Sequence, residues 1–418
     1  MAEDPAPLTA ADAVPRRGAD LAGRLLAQAP AGFEARLRRA WAYVLPLHDW
    51  RVPVARLHGV TRASGRKASM LVAGAGRWTG YLSDRFFAGT PQRDAIGHVA
   101  LWQLPGHLRR WRADVDVTVA HVDNRSVRRL FDDDYLRVPQ WVGAQLPLPV
   151  DLAALAGTSG RVAADLRRTR RGGLTHDVSH RAADFDAFYH RMFVPYTRAR
   201  HGEDAYIKSF HSLRRSFRSG GILWVRSNGQ PVAGYLFEHD GDALGLVAVG
   251  VVDGDEAWRQ RGAVAALYVH IIEYAQRCGC AAVDMRGVRP SLADGLLRYK
   301  AKWGAALYGR TDVPHSWLVH WNRLDGAAAE FLAGTPLVFR DGEALSGVGF
   351  VDRETPWTTA DLRQARDRLW VPGLARLCLV GSANRADDLC VPVATQLVDH
   401  ACLRDAGPRA LLALPGTA

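Results

Sequence analysis

The sequence predicts an α/β fold of the mixed (α+β) kind, in which a mixed sheet is flanked by helices. One observation is "GGILWVRSNGQPVAGYLFEHDGDALGLVAVGVV", which has the pattern of three successive strands joined by tight Asn-Gly and Asp-Gly turns. A second is "AVAALYVHIIEYAQRCG", whose apolar residues recur at helical spacing before a glycine stop. A third is the apolar run "CAAVDMRG", which follows that helix and is therefore expected to lie parallel to the third strand.

Length and composition indicate a globular protein with more than one domain. The chain has 418 residues, and 48% of them are hydrophobic while 23% are charged. A chain of this length exceeds one ordinary hydrophobic core. We predict an N-terminal helical extension over residues 1–50, an α/β unit over 51–150, a larger domain over 151–330 and a C-terminal docking extension over 331–418.

Charge and hydropathy bear on partners and location. The net charge of +11 predicts an anionic partner, such as a nucleotide cofactor, tRNA, a phosphorylated sugar or a lipid surface. No stretch approaches the roughly 18 apolar residues that a membrane span needs. The start, "MAEDPAPLTAADAVPRR", lacks the apolar core of a secretory signal. We therefore expect a cytoplasmic protein without a transmembrane segment, and the oligomeric state stays open.

The first half of the chain holds several recognisable elements. The run from Phe33 to Leu47 predicts an amphipathic helix, for which packing is favoured over membrane attachment. Between residues 52 and 125, "SMLVAGAG", "GHVALWQL" and "VDVTVAHV" have the character of strands. Residues 132–149 have the composition of a linker or a packed loop. The run "RVAADLRRTRRGG" predicts a basic helix that is either solvated or binds anions.

The three predicted strands joined by tight turns form a meander, and the segments on either side of this meander complete the predicted larger domain. The run "DFDAFYHRMFVPYTRARHG" predicts a helix that ends near Pro195. A turn with Arg259, Arg261 and Gly262 follows the third strand, and a helix begins at Ala263. The unpaired N–H groups and positive dipole of that helix start form a predicted anion site.

The local spacing of this turn, R-x-x-G-x-V-A, resembles the pyrophosphate loop of the GNAT acyltransferases, with Val264 at the last small position. The run "RYKAKWGA" resembles the "FKxxWG" stretch of the Fem-type aminoacyltransferases, a branch with a GNAT-like domain. The resemblance covers roughly residues 160–325. It implies a GNAT-like mixed sheet and a second, degenerate GNAT-like unit over residues 51–150.

The resemblance implies an acyltransferase that forms an amide on an amino group of a small or cell-envelope-related acceptor. Its donor is an acyl-CoA such as acetyl-CoA, which we favour, or an aminoacyl-tRNA. A catalytically silent GNAT-like binding module is the third possibility. The resemblance also implies that backbone groups of the third strand, near Val249 and Val251, contact the donor together with Arg259, Arg261, Gly262 and Ala263. We expect the third strand to separate from the next one at this place.

Residue types in "RPSLADGLLRYKAKWGA" suggest roles in such a reaction. Asp294 is the first choice for the base that deprotonates the amine, ahead of Glu238, His239 and Asp284, although it fits a helix cap equally well. Tyr299 fits either the acid that protonates the leaving group or an aromatic packed on the helix.

The same run is rich in cations. The resemblance places Lys300 near the acceptor. Arg289, Lys300 and Lys302 are candidates to hold a phosphate or carboxylate of that acceptor, although the two lysines point to different helix faces. Trp303 belongs to the same predicted substrate-binding segment, and we expect it to pack one side of the helix together with Leu296 and Leu297.

Several other chemistries lack a motif in the sequence. No Walker-type phosphate loop or G-x-S-x-G elbow is present, and no metal is predicted. Five cysteines, an odd number without the spacing of a zinc or redox motif, are expected to be reduced and unpaired.

Overall fold

A computed structural model describes residues 50–202, 207–351, 357–381 and 391–412, except for residues 400, 402 and 404–406. The helix predicted between Phe33 and Leu47 lies outside these residues. The described chain forms two compact units. Unit 1 contains residues 146–286, and unit 2 contains residues 50–145 together with the described residues from Gly287 onward.

The first segment, up to residue 147, alternates strands and helices. Its elements are β1 (Arg51–Val60), β2 (Lys67–Ala73), α1 (Gly76–Phe86), β3 (Gln92–Ala100), α2 (Leu104–Trp111), β4 (Val117–Asp123), α3 (Asn124–Leu130), β5 (Leu136–Pro139) and β6 (Val142–Pro147). The first and third predicted strands are present as β2 and β4, whereas "GHVALWQL" is a strand only as far as Ala100, where β3 ends, and continues as a turn into α2. The loop predicted over residues 132–149 is wrong, because this stretch contains β5 and β6.

The middle segment, up to residue 288, contains the predicted meander. Its elements are α4 (Leu152–Thr158), α5 (Gly160–Arg171), β7 (Thr175–Ser179), α6 (Ala182–Phe188), a π-helical turn (Tyr189–Phe193), α7 (Val194–His201), α8 (Phe210–Arg218), β8 (Gly220–Ser227), β9 (Gln230–Asp240), β10 (Ala243–Val251), α9 (Glu256–Gln260), α10 (Ala263–Arg277) and β11 (Ala282–Val288). The basic helix predicted over "RVAADLRRTRR" is α5.

The sheet of unit 1 has the strand order β11–β10–β9–β8–β7. Strands β7 to β10 are antiparallel, and β10 runs parallel to β11, as the sequence predicts. The first turn of the meander places Asn228 at φ 49° and Gly229 at φ 78°, both in the left-handed region that such hairpin turns require. The mixed α/β fold class is therefore confirmed.

The core of unit 1 lies on both faces of this sheet. Helix α10 packs against β8 and β9 through an apolar stripe that includes Leu267, Ile271 and Ile272, all fully buried. On the other face an aromatic cluster from α6, α8 and the π turn includes Phe185 and Phe188. Burial of these stripes is what fixes the helices against the strands.

The helix predicted to end at Pro195 continues through it. The π turn precedes α7, and Pro195 lies within the first two positions of α7. A proline is tolerated there because the first N–H groups of a helix have no partner within the helix. The chain therefore passes from α6 to α7 without a break.

The last segment begins with the run that resembles "FKxxWG". Its elements are α11 (Gly295–Ala301), β12 (Ala306–Tyr308), β13 (His315–Trp321), α12 (Gly326–Gly334), β14 (Leu337–Asp341), β15 (Ala344–Phe350), α13 (Thr359–Leu369), β16 (Arg376–Gly381), β17 (Thr395–Asp399) and α14 (Arg409–Leu412). None of the described helices is long and apolar enough to cross a membrane.

Unit 2 is built on two sheets. One has the strand order β3–β1–β2–β4–β13–β5, and the other has the order β14–β15–β16–β17. Strand β13 lies between β4 and β5 and is antiparallel to both, so it ties residues beyond 287 to the first segment. The compact units thus group the chain differently from the consecutive domains suggested by sequence, and the degenerate GNAT-like copy over 51–150 stays a prediction.

Candidate functional site

Strand β10 leaves β11 partway along its length in unit 1. The ladder between them contains only Ala243, Leu244 and Gly245, whereas β10 stays paired with β9 as far as Val251. From residue 246 onward, the β11-facing edge of β10 therefore lies outside this ladder. The separation predicted from the sequence is present, and it includes Val249, which is partly buried, and Val251, which is fully buried.

A bulge interrupts β10 where the strands separate. The register against β9 shifts between Leu246 and Ala248. The carbonyl of Val247, at this shift, accepts a hydrogen bond from Lys208 Nζ at 2.8 Å. The Tyr189 hydroxyl in turn donates to the carbonyl of Lys208 at 3.1 Å. A β-bulge redirects the backbone groups along the edge of a strand. The hydrogen bonds made by Lys208 and Tyr189 hold the bulge of β10 in place.

The start of α10 is shaped by Gly262, which has φ 94°. This left-handed conformation is open to glycine and strained for other residues. Ala263, the first helical residue, is fully buried. A helix of 15 residues has a substantial dipole, so its first N–H groups favour an anion.

The two predicted arginines of the turn have partners. Arg259 pairs with Glu256, with Nε at 2.6 Å from Oε2, and this hydrogen bond lowers the pKa of the Glu256 carboxyl. The Arg261 guanidinium lies 5.0 Å from the centre of the Trp258 ring. Both pairings are exposed and hence weak, so a bound anion could replace them.

Arg168 of α5 also reaches the turn, a contact that the sequence did not reveal. A Cβ atom on Gly262 would lie 2.7 Å from Arg168 Cδ and 2.8 Å from Cγ, so the stem of this arginine fills the space that the glycine leaves. Its Nη1 pairs with Asp165 at 3.1 Å. A shallow cavity of about 280 Å³ beside it is lined by Ala164, Arg167, Arg168 and Arg171.

Two of the alternative bases are held by one arginine. Arg286 Nη1 lies 2.7 Å from Asp284 Oδ2, and its other Nη contacts Glu238. The guanidinium occupies space beside Gly245, where a Cβ would meet Nη2 at 2.2 Å. Asp284 and Glu238 are thus engaged in ion pairs, while the third alternative, His239, is exposed.

The predicted base Asp294 lies in unit 2 and caps α11. Its Oδ1 accepts from the N–H groups of Leu296 at 3.0 Å and Leu297 at 3.1 Å. Its Oδ2 lies 3.5 Å from Arg85 Nη2. The capping role weighed for this residue is present, and its role as a base stays a prediction.

The cations and aromatics of α11 divide between the interior and the surface. Lys300 is buried, with 4% of its surface exposed, and its Nζ donates to the Gly287 carbonyl at 3.2 Å. Lys302 Nζ lies 3.7 Å from the centre of the Tyr299 ring. Trp303 is fully buried, so it packs within unit 2. The role of Tyr299 as an acid stays a prediction.

Packing around α11 differs from the expected pattern at one apolar position. Leu297 is buried and packs inward, but Leu296 is 48% exposed. The expectation that both leucines pack inward is therefore wrong for Leu296. Consecutive helical positions lie about 100° apart, so the face that buries Leu297 turns its neighbour outward.

Arg289 lies among aromatic rings. Its Cζ atom is 4.1 Å from the centre of the Trp141 ring, 4.7 Å from that of Tyr81 and 5.8 Å from that of Trp317. Neither Tyr81 nor Trp141 was a candidate from the sequence. Tyr81 belongs to a helix without a motif, and Trp141 lies in the stretch predicted to be a loop.

The structure thus gathers the predicted residues into two groups. The donor-site residues lie on successive elements of unit 1, and the acceptor-side residues lie in unit 2. Among the residues that the structure describes, no group of three His, Cys, Asp or Glu side chains could hold a metal ion.

Comparison with known proteins identifies the segment that carries most of these elements. Residues 159–301 match the family model of the acetyltransferase (GNAT) domain. The matched residues begin just before α5 and end with α11, and so include the meander and α10. No curated protein matches the chain.

Several solved structures are similar to parts of the chain. FemX is 11% identical over 66% of this chain and 90% of its own, with a TM-score of 0.35. L-PGS from Bacillus licheniformis is 11% identical over 66% of this chain and 87% of its own, with a TM-score of 0.32. The ribosomal-protein-S18-alanine N-acetyltransferase from Escherichia coli is 16% identical over 35% of this chain and 90% of its own, with a TM-score of 0.24.

Proposed function

We propose that the chain is an N-acyltransferase that uses acyl-CoA, on the premise that residues 159–301 match the acetyltransferase (GNAT) domain. In this proposal, acetyl-CoA is the simplest donor, and the acceptor is an amine that is small or related to the cell envelope. The observation that carries the proposal is the start of α10, where Gly262 precedes the helix N-terminus, just after Arg259 and Arg261 and beside the stem of Arg168.

The residues at this turn fit the diphosphate of a coenzyme A thioester. The first N–H groups of α10 offer backbone donors, and the helix dipole favours a negative charge. Arg261 and Arg168 add positive charge within the same turn region. The exposed ion pair between Arg259 and Glu256 can exchange its carboxylate for a phosphate at low cost.

The unpaired edge of β10 fits the other end of such a donor. An extended acyl-pantetheine arm can lie along a strand edge and bond to its backbone groups. A backbone N–H there would polarise the thioester carbonyl and stabilise the oxyanion that forms on attack. Bulge contacts from Lys208 to Val247 hold that edge before any donor binds.

The proposed reaction forms one bond and breaks one. The neutral acceptor nitrogen attacks the thioester carbonyl carbon, the carbon–sulfur bond breaks, and the sulfur leaves as a thiolate. One proton leaves the nitrogen for a base, and one reaches the thiolate from an acid, so charge and atoms balance. Asp294 and Tyr299 remain the predicted base and acid.

A second donor, aminoacyl-tRNA, is favoured by one observation. Arg167, Arg168 and Arg171 line the same shallow cavity on α5. Three arginines on one helix face match the spaced phosphates of a nucleic acid, whose binding weakens steeply with salt. With such a donor, the aminoacyl ester would occupy the position that the acyl-CoA proposal gives to the thioester.

Calorimetric titration of the full chain with acetyl-CoA and, separately, with an aminoacylated tRNA tests the choice of donor. We expect saturable binding of acetyl-CoA that survives moderate salt. If acetyl-CoA and longer acyl-CoA thioesters do not bind while tRNA binds with strong salt dependence, the acyl-CoA proposal is wrong. If neither binds, the protein is a GNAT-like module without this activity.

A further inference from the structure

We propose that unit 2 carries an oxyanion-binding site at Arg289, walled by the rings of Tyr81, Trp141 and Trp317, and that this site takes a phosphate or carboxylate group of the acceptor. We call these three rings the aromatic cage. The identification of the ligand as the acceptor rests on the proposed function. The presence of an anion site does not, because it follows from the surroundings of Arg289 alone.

The cage fixes the guanidinium from several sides. The three ring centres lie between 4.1 and 5.8 Å from Arg289 Cζ. Guanidinium groups are held over such rings by cation–π attraction, while their N–H groups point outward in the plane of the guanidinium itself. Stacking therefore positions the fork of Arg289 without using up its hydrogen-bond donors.

One donor of this fork is left without an acceptor. Arg289 Nη1 is buried and makes no hydrogen bond in the described part of the chain, and no described carboxylate forms an ion pair with Arg289. The neighbouring carboxylate of Asp294 is taken by the α11 cap and by Arg85. A buried charged donor without a partner is costly, so an oxyanion is the partner that the site lacks.

The surroundings of the cage carry excess positive charge. The Arg85 guanidinium lies 4.8 Å from the centre of the Tyr81 ring, so two arginines share this ring. Their shared neighbour Asp294 supplies one carboxylate. Burial lowers the pKa of Arg289 because it disfavours the charged form, and a bound anion would offset that cost.

The other cations proposed for the acceptor have different positions. Lys300 is buried against the Gly287 carbonyl, and the Lys302 ammonium lies over the Tyr299 ring. Of the three cations that the sequence suggested, Arg289 is the one whose geometry points to an external anion. A planar fork also suits the two oxygens of a carboxylate or phosphate better than an ammonium does.

Calorimetric titration of the full chain with inorganic phosphate and with acetate, at low ionic strength, tests the proposal. We compare the wild type with Arg289→Lys, which keeps the charge but loses the fork. Arg340→Lys is the matched control, because Arg340 is also a partly buried arginine of unit 2 but donates to the Arg310 carbonyl. Gly262→Asp reports any phosphate bound at the start of α10.

We expect saturable binding that weakens about tenfold or more in Arg289→Lys and is unchanged in Arg340→Lys, whereas Gly262→Asp removes only the phosphate bound at the start of α10. Stronger binding of phosphate would indicate a phosphorylated acceptor, and stronger binding of acetate a carboxylate. Equal affinity in Arg289→Lys, loss of all binding in Gly262→Asp, or no binding of either probe to the wild type would overturn the proposal.

A second variant guards against misfolding of Arg289→Lys. Trp141→Phe keeps the arginine but shrinks the closest wall of the cage, so anion affinity should fall severalfold while thermal unfolding changes little. If Trp141→Phe binds both probes as tightly as the wild type, the cage does not position the fork and the proposal fails. Failure here leaves acetyl-CoA binding untouched, so it is distinguishable from failure of the proposed function.

Discussion

Asp294 shows how one residue can satisfy several demands of the fold. Its carboxylate closes the first turn of α11 with one oxygen and faces Arg85 with the other. Aspartate is among the favoured residues at this position because its side chain accepts from N–H groups that the helix leaves unpaired. The capping role is therefore present, and the role of Asp294 as a base stays a prediction.

Replacing Asp294 by alanine and by asparagine separates the contribution of the helix cap to stability from that of the carboxylate charge. Asp294→Ala should lose about 1 kcal/mol of stability more than Asp294→Asn, because asparagine retains a capping oxygen. Both variants lose the ion pair with Arg85, so their difference isolates the cap. Thermal unfolding of the two variants measures it, and equal unfolding temperatures would show that the cap contributes nothing.

At the scale of elements, β10 and the π turn fit closely around Gly250. A Cβ atom at Gly250 would lie 2.7 Å from the Phe193 nitrogen and 2.8 Å from the Met192 carbonyl carbon. Both neighbours are backbone atoms, which cannot move aside as a side chain can. The glycine therefore sets how closely the π turn approaches the predicted donor edge of β10.

Gly250→Ala should destabilise the protein by about 1–3 kcal/mol, the usual cost of overpacking. Gly160→Ala is the matched control, because Gly160 lies at the start of α5 with open space around its Cβ position. We expect the control to be neutral or slightly stabilising. Chemical denaturation curves compare the two, and equal effects would mean that the approach at Gly250 is not tight.

Local patterns explain which elements could be predicted. The meander, α10 and β11 were predictable because turn dipeptides and apolar periodicity lie within each segment. The strands β5 and β6 were not predictable, because each is short and contains a proline and a polar residue of the kind found in loops. The continuation of the helix through Pro195 was also not predictable, because it depends on a π turn for which the sequence carries no signal.

At the scale of the whole molecule, long-range pairing limits what the sequence reveals. Strand β13 follows α11 in the chain but pairs with β4 and β5, nearly 200 residues earlier. No local pattern encodes such a partner. The predicted domains follow chain order for this reason, whereas the compact units do not.

The residues of the candidate sites also divide into those that a local sequence pattern predicts and those that it does not. Gly262 and its arginines were predictable, because a turn between a strand and a helix has a recognisable spacing. Arg168, Lys208 and Trp141 were not, because each reaches its site from a distant segment with no motif of its own. The sequence thus identified the loop that we propose for the donor site but not the side chains that surround it.

In the function that we propose, the start of α10 binds the diphosphate of an acyl-CoA donor. Calorimetric measurement of acetyl-CoA affinity in Gly262→Asp and Gly279→Asp tests this claim most directly. Both glycines have positive φ and flank the same helix, but Gly279 lies just beyond its C-terminal end, in open space. The two variants therefore share the charge change and much of the backbone strain.

We expect Gly262→Asp to weaken acetyl-CoA binding by about tenfold or more, because a carboxylate would face the bound phosphates at the positive end of the helix. Gly279→Asp should bind acetyl-CoA as the wild type does. If the two variants bind acetyl-CoA with the same affinity, the donor does not lie at the start of α10, and the claim is contradicted.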